Sequence, residues 1–253
     1  MLFQGVLTKM QAELSAPINY YLTLGNDLVQ VHQLVCKKLK LKFMSYQCLS
    51  CGSDAVIFRQ GYCKSCFFEL PQTADWIIYP EKSKAHLGIE ERDLEYEKKV
   101  QLQPHIVYLA NSSNVKVGVT RKTQVPTRWI DQGAQSALEI LEVPNRYLAG
   151  IAEVSLKNHV SDKTNWREML KGKAADTDLT IERQKLISHL PQELKPYVLN
   201  NNTPLNLKFP VEKYPENPKS LNLNKTPEYE GVLMGIKGQY LIFEDDTLSL
   251  IHI

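Results

Sequence analysis

The 253-residue sequence predicts an α+β fold with β-rich ends, a mixed central stretch and a small cysteine loop. Short runs rich in Tyr, Leu, Val and Ile, bounded by Gly, Asn and Pro, crowd both ends of the chain. A strand–turn–strand pattern followed by helix punctuation fills residues 105–171. Four of the five cysteines stand as two close pairs ahead of it.

In chain order, residues 18–24 read as a strand turned by Gly25-Asn26-Asp27, and 38–44 as another that enters the cysteine loop. Residues 81–104 carry mixed charge and read as a linker with some helix. Residues 106–110 and 115–119 flank Asn111-Ser112-Ser113-Asn114 and make a hairpin. Pro126 suits the first turn of a helix and Gly133 its end. Pro144-Asn145 opens a second helix running to about His159, and Thr164 can cap a short one that stops near Gly172. Residues 178–195 continue helical, with Pro191 as a break. Asn and Pro mark 199–230 as loop with short strands. Residues 232–236 and 240–243 flank Lys237-Gly238-Gln239 as a hairpin, and 248–253 can form a last strand. The expected organisation is 1–80 β strands with the cysteine loop, 81–104 linker, 105–198 α/β domain, and 199–253 strands that pair with the N-terminal region.

Cys48-Leu-Ser-Cys51-Gly52 and Cys63-Lys-Ser-Cys66 are eleven residues apart. Two such knuckles aim four thiolates at one point, the donor set of a tetrahedral structural Zn²⁺ site. A dithiol redox pair or a disulfide is the alternative. A closed Cys₄ site leaves no open coordination position, so it builds structure and does not catalyse. Cys36 is left over and reads as a buried, inert thiol.

Hydrophobic content of 43% and charged content of 23% place the chain among globular proteins and away from disordered ones. No stretch suits a membrane span, and the N-terminus lacks the basic and apolar regions of a secretory signal. Paired metal-type thiols then suggest a reducing cytoplasm. The net charge of +2 names no partner by itself. Within 36–66, however, Lys37, Lys38, Lys40, Lys42, Arg59 and Lys64 face only Asp54. Alternation in Lys38-Leu39-Lys40-Leu41-Lys42-Phe43 puts three lysines on one strand face, either a solvated face or a phosphate-facing stripe.

The central stretch holds residues suited to phosphate chemistry: Tyr108 and Lys116 on the hairpin, Arg128 on the first helix, Glu153 on the second. Arg146, Gly150, Glu153 and Lys157 share one helix face, with Leu148, Ile151, Ser155 and Leu156 opposite. Glu153 beside the small Gly150 reads as a place where a bulky anion can approach. Trp129 and Trp166 read as core rather than base-stacking platforms, and His86 and His105 as surface or satisfied polar residues.

Tyr108, Lys116-Val117-Gly118, Arg128 and Glu153 together resemble the GIY-YIG nuclease pattern across about 105–167. Over nearly its whole length the chain resembles an uncharacterised bacterial family, domain of unknown function 2797. That resemblance rests on Gly61-Tyr-Cys-Lys-Ser-Cys66, Val115-Lys-Val-Gly-Val-Thr-Arg121, Pro126-Thr-Arg-Trp-Ile-Asp-Gln-Gly-Ala134, Asp162-Lys-Thr-Asn-Trp166 and Gly235-Ile-Lys-Gly-Gln-Tyr240. It implies a small GIY-YIG-like antiparallel sheet with helices, joined to a zinc ribbon and a β subdomain built from both chain ends. The nuclease resemblance implies that Glu153 binds Mg²⁺, Arg128 holds a phosphate, and Tyr108 accepts a proton with its pKa lowered by Lys116, Arg128 and the metal. Lys157 or His159 would assist. The second motif has Lys116 where many members have tyrosine. The implied function is a metal-dependent phosphodiesterase acting on DNA or RNA. The alternatives are a zinc-ribbon nucleic-acid-binding protein that does not cut, or a zinc-stabilised interaction scaffold.

Overall fold

The computed structural model describes residues 1–160 and 165–250. Near the N-terminus β1 (Gln11–Glu13), β2 (Asn19–Leu24) and β3 (Asp27–Gln30) form an antiparallel meander. β4 (Lys38–Lys42) enters the cysteine loop, which ends in α1 (Lys64–Glu69). Four short 3₁₀ turns fill most of 71–87 before α2 (Leu94–Gln101). The central unit runs β5 (His105–Asn111), β6 (Val115–Arg121), α3 (Thr127–Asp131), β7 (Ser136–Val143) and α4 (Arg146–Lys157). After it come α5 (Trp166–Leu170), α6 (Leu179–Ile187), β8 (Leu205–Asn206), β9 (Lys219–Ser220), β10 (Glu228–Lys237), β11 (Tyr240–Phe243) and β12 (Thr247–Leu250).

The mixed α+β architecture has two sheets besides the meander, ordered β6-β5-β7-β8 and β4-β10-β11-β12-β9. In the second, β4 lies antiparallel to β10, with Lys38 opposite Val232 and Lys42 opposite Glu228. In the first, β5 is central and all seven of its residues are buried. Alternation along β5 splits its side chains between two cores. Ile106, Tyr108 and Ala110 join Met10, Tyr20, Trp129, Leu233 and Phe243, so one core links all three sheets. Val107 and Leu109 point the other way, onto Ala149, Ala152 and Leu156 of α4 and Leu186 of α6.

Several elements differ from the sequence reading. β7 falls in a stretch where no strand is expected, yet it pairs with the whole length of β5. The charged stretch after residue 80 is folded onto its neighbours. Buried Glu97 accepts from the backbone N–H groups of Glu91, Arg92 and Asp93, and Arg92 donates to the carbonyls of Phe67 and Leu70. The helix expected through 195 stops at Ile187, and Gln192–Tyr197 is a 3₁₀ turn. Asn165 caps α5 by accepting from Arg167 and Glu168 N–H, while Thr164 lies outside the described residues. Lys237 is not an exposed turn residue; it ends β10 fully buried and donates to Met169 O at 2.9 Å. Cys36 is exposed rather than buried, because it occupies the left-handed turn (φ 66°) ahead of β4. Trp129 is core, and Trp166 is half-buried against Tyr240.

His86 is exposed and stacks on Tyr147, whereas His105 is fully buried at the start of β5. The His105 Nδ1 lies 2.7 Å from Gln103 O, and Nε2 has no partner among the described residues. Burial outweighs that bond and pulls its pKa down to about 4. An unfolded chain therefore takes up a proton near pH 6.5 that the native state refuses until about pH 4. Native stability should fall as pH drops through this window and level off below it, by about 3 kcal/mol from this group. Urea melts at several pH values measure the slope, and His105→Phe should flatten that part of it.

Candidate functional site

The cysteine loop has almost no core of its own, so its thiols must be held by backbone. Cys48 N–H donates to Ser53 O at 2.8 Å and Gly52 N–H to Cys48 O at 3.0 Å, closing the first knuckle. Gly52 has φ 71°, where a Cβ would be strained. Cys63 precedes α1, and its N–H donates to Cys48 Sγ at 3.3 Å. The four sulfurs of Cys48, Cys51, Cys63 and Cys66 all lie within 4.8 Å of one another. Cys51 Sγ and Cys63 Sγ are 3.9 Å apart, close to the ~3.8 Å edge of a tetrahedron with 2.3 Å metal–sulfur bonds. Burial opposes ionisation of Cys48, yet N–H donors from Cys63, Cys51 and Ser50 hold its thiol down to about 6. Its neighbour Cys66 is pushed up to about 12, chiefly by the hydrogen bond with Cys63. Four crowded thiols cannot all ionise alone; a divalent cation removes the conflict. The cluster could hold a metal ion, and its all-sulfur donor set is compatible with structural zinc.

The second cluster lies along β6, the edge strand of the four-stranded sheet. Tyr108 on β5 is opposite Gly118 on β6. A Cβ on Gly118 would stand 2.7 Å from both Cζ and OH of Tyr108, so the glycine leaves room for that ring. Tyr108 OH donates to Gln132 Oε1 at 3.1 Å, and the charge of the exposed Arg128 guanidinium acts on it. Lys116 and Glu153 are part-buried, and both feel the charge of Arg128. The fold thus sets Tyr108, Lys116 and Glu153, from β5, β6 and α4, within reach of the charge of Arg128 on α3.

Their protonation differs from the expectation. Burial raises the Tyr108 pKa, and Arg128 and Gln132 only partly offset this, so the phenol keeps its proton. Lys116 is the group brought toward neutrality: burial and then Arg128 pull its amine down to about 8. Burial raises the Glu153 pKa despite Arg146, and Glu81 pushes it further up.

The surface beside Gly150 is also not open. A Cβ there would lie 2.1 Å from Glu81 N and 2.4 Å from Pro80 C, because the backbone at 80–81 rests on the helix. Arg146 ties the same segment down through Trp76 O (3.0 Å) and Ile77 O (2.8 Å). The buried stripe of α4 is Ala149, Ala152 and Leu156, while Leu148, Ile151 and Ser155 are only part-buried. Lys157 and His159 are exposed, and His159 stacks on His189 instead of joining the cluster. Gln132, Arg146 as an anchor and Glu81 were not legible as site residues; only their helical or charged setting is visible in sequence.

The charge of the lysine strand is largely matched: three lysines stand against two glutamates. Lys38 pairs with Glu230, while Lys40 and Lys42 pair with Glu228 at 2.9 and 3.1 Å. Antiparallel pairing with β10 sets those glutamates beside the lysines.

No helix of the described residues is long and apolar enough to cross a membrane. The profile of the family described as "Protein of unknown function (DUF2797)" matches residues 36–253. No curated protein and no solved structure matches the chain.

Proposed function

The chain belongs to the DUF2797 family, and from that premise and the cluster along β6 we propose a metal-dependent phosphodiesterase acting on nucleic acid, of GIY-YIG type. The convergence of Tyr108, Lys116, Arg128 and Glu153 carries this reading. The β-β-α-β-α order of the central unit, with β5 between β6 and β7, supports it. Exposed Arg128 binds the phosphodiester and offsets charge building on it. Tyr108, still protonated, donates a hydrogen bond rather than accepting a proton. Lys116, half neutral near pH 8, takes the proton of the attacking water. The Glu153 carboxylate, with Glu81 near it, supplies the hard oxygen donors that Mg²⁺ prefers. Bound Mg²⁺ would polarise the phosphate and stabilise the leaving oxygen.

The test is Mg²⁺-dependent cleavage of labelled single- and double-stranded DNA and RNA. Glu153→Gln should lower the rate by about 10²-fold or more, with zinc content and melting temperature retained. Unchanged cleavage in that variant removes the proposal. The wild-type rate should climb as pH rises through about 8. Lys116→Arg, which cannot deprotonate, should lose that limb. A binding protein that does not cut is the second reading, favoured by the backbone at 80–81 that covers Gly150. Binding unchanged by EDTA, with no polymer cleaved, selects it.

A further inference from the structure

At the β8 edge of the same sheet, away from β6, a cavity of about 630 Å³ opens between the end of β5, the start of β7 and residues 174–177 and 206–214. A smaller hollow of about 430 Å³ shares Tyr214 and adds Lys171 and Lys173. Asn111 lines the main cavity and is only 5% exposed. Its Nδ2 donates to Ala175 O at 2.7 Å, which fixes which way the amide faces. Its Oδ1 then has no partner among the described residues. A buried carbonyl oxygen left so is costly; it lies just under the cavity wall, and a ligand N–H that reaches it with a small shift of that wall relieves the cost.

The walls narrow the ligand further. Tyr214 is partly exposed on the cavity, and its ring is seated on Gly172, where a Cβ would be 2.8 Å from the ring. Behind Tyr214 and Phe209 sits the buried Lys237 amine, 5.6 and 5.4 Å from their ring centres. Lys173 and Lys208 are exposed at the two mouths, with no ion pair among the described residues. Asp176 on the rim is an acceptor for hydroxyl groups. A molecule with an N–H donor, a flat π face, hydroxyls and an anion matches these walls together. The volume suits a ligand of nucleotide size.

We propose that this cavity binds a nucleoside phosphate. An N–H edge of the base meets Asn111 Oδ1, its face lies on Tyr214, the ribose reaches Asp176, and the phosphate lies toward Lys173 or Lys208. The site is separate from the cluster along β6 and does not depend on cleavage there.

Calorimetry on the full zinc-loaded chain tests it, with AMP, CMP, GMP, UMP, ribose 5-phosphate and inorganic phosphate as probes. At least one nucleotide should bind saturably, and tighter than ribose 5-phosphate by about tenfold or more. Lys208→Ala and Lys173→Ala together should weaken it. Asn206→Glu, at an exposed position on the wall, should block it by repelling the phosphate, without disturbing the fold. Glu153→Gln should leave it intact. Equal binding of ribose 5-phosphate, no saturable binding at millimolar concentration, or full binding in Asn206→Glu would each overturn the assignment.

Discussion

Cys63→Ser should abolish metal binding by the four-cysteine cluster and unfold the loop from about residue 44 to α1, while the sheet around β5 survives. Between residues 44 and 70 the only buried apolar side chains are Cys48 and Cys63 themselves. Met44, Val56, Phe58 and Phe68 are exposed. Such a loop cannot offset its ordering entropy by burial, so a metal must act as its staple. Structural zinc supplies about 10 kcal/mol or more in small zinc domains. Serine keeps the backbone N–H that reaches Cys48 Sγ and can cap α1, so the loss comes from the missing thiolate alone. Limited proteolysis should cut within 44–70 in the variant and not in the wild type. Metal analysis should give one zinc per wild-type chain and none in the variant. Cys36→Ser is the control, since Cys36 lies apart from the cluster, and it should keep its zinc. A Cys63→Ser protein with full zinc content and an intact loop would exclude a Cys₄ centre.

How much was legible in the sequence follows from the range over which each feature is specified. The knuckles are local: two Cys-x-x-Cys pairs and Gly52 announce their geometry within a few residues. The β5–β6 hairpin and α4 are local too, set by a turn and by Asn145, which accepts from Leu148 N–H. β7 was missed because its pattern is not period two. Its register shifts against β5 at Ile140, so Ala137, Leu138, Ile140, Leu141 and Val143 are buried in a spacing that mimics a helix. The lysine strand was read correctly as a one-sided face. The glutamates that pair with it were not legible, because Glu228 and Glu230 arrive from far along the chain. The burial that raises the Tyr108 pKa in the metal-free protein was not legible for a related reason. Nearby cations can be guessed from a motif, but full burial, which dominates, comes from the core that links the three sheets.

Gly150→Ala should destabilise the protein, although helix propensity alone predicts the opposite. Within an exposed helix this change gains about 1 kcal/mol. Here the new methyl would enter the backbone of Pro80 and Glu81, with 2.1 Å to the nearest atom. Backbone cannot rotate aside as a side-chain tip can, so the 75–82 segment must lift from α4. Overpacking of this kind costs about 1–3 kcal/mol. Lifting also strains the two bonds from Arg146 to Trp76 O and Ile77 O. Trp76 is buried beneath that guanidinium, whose carbon lies 5.5 Å from the ring centre. Its fluorescence should therefore shift to the red, and amide exchange should quicken across 75–87 while α4 stays protected. The change also draws Glu81 away from Glu153 and removes one influence that raises its pKa. In a cleaving enzyme, any limb of the rate profile that follows Glu153 should then move to lower pH. A melting temperature raised by the substitution, with Trp76 emission unchanged, would mean that the segment does not rest on α4 in solution.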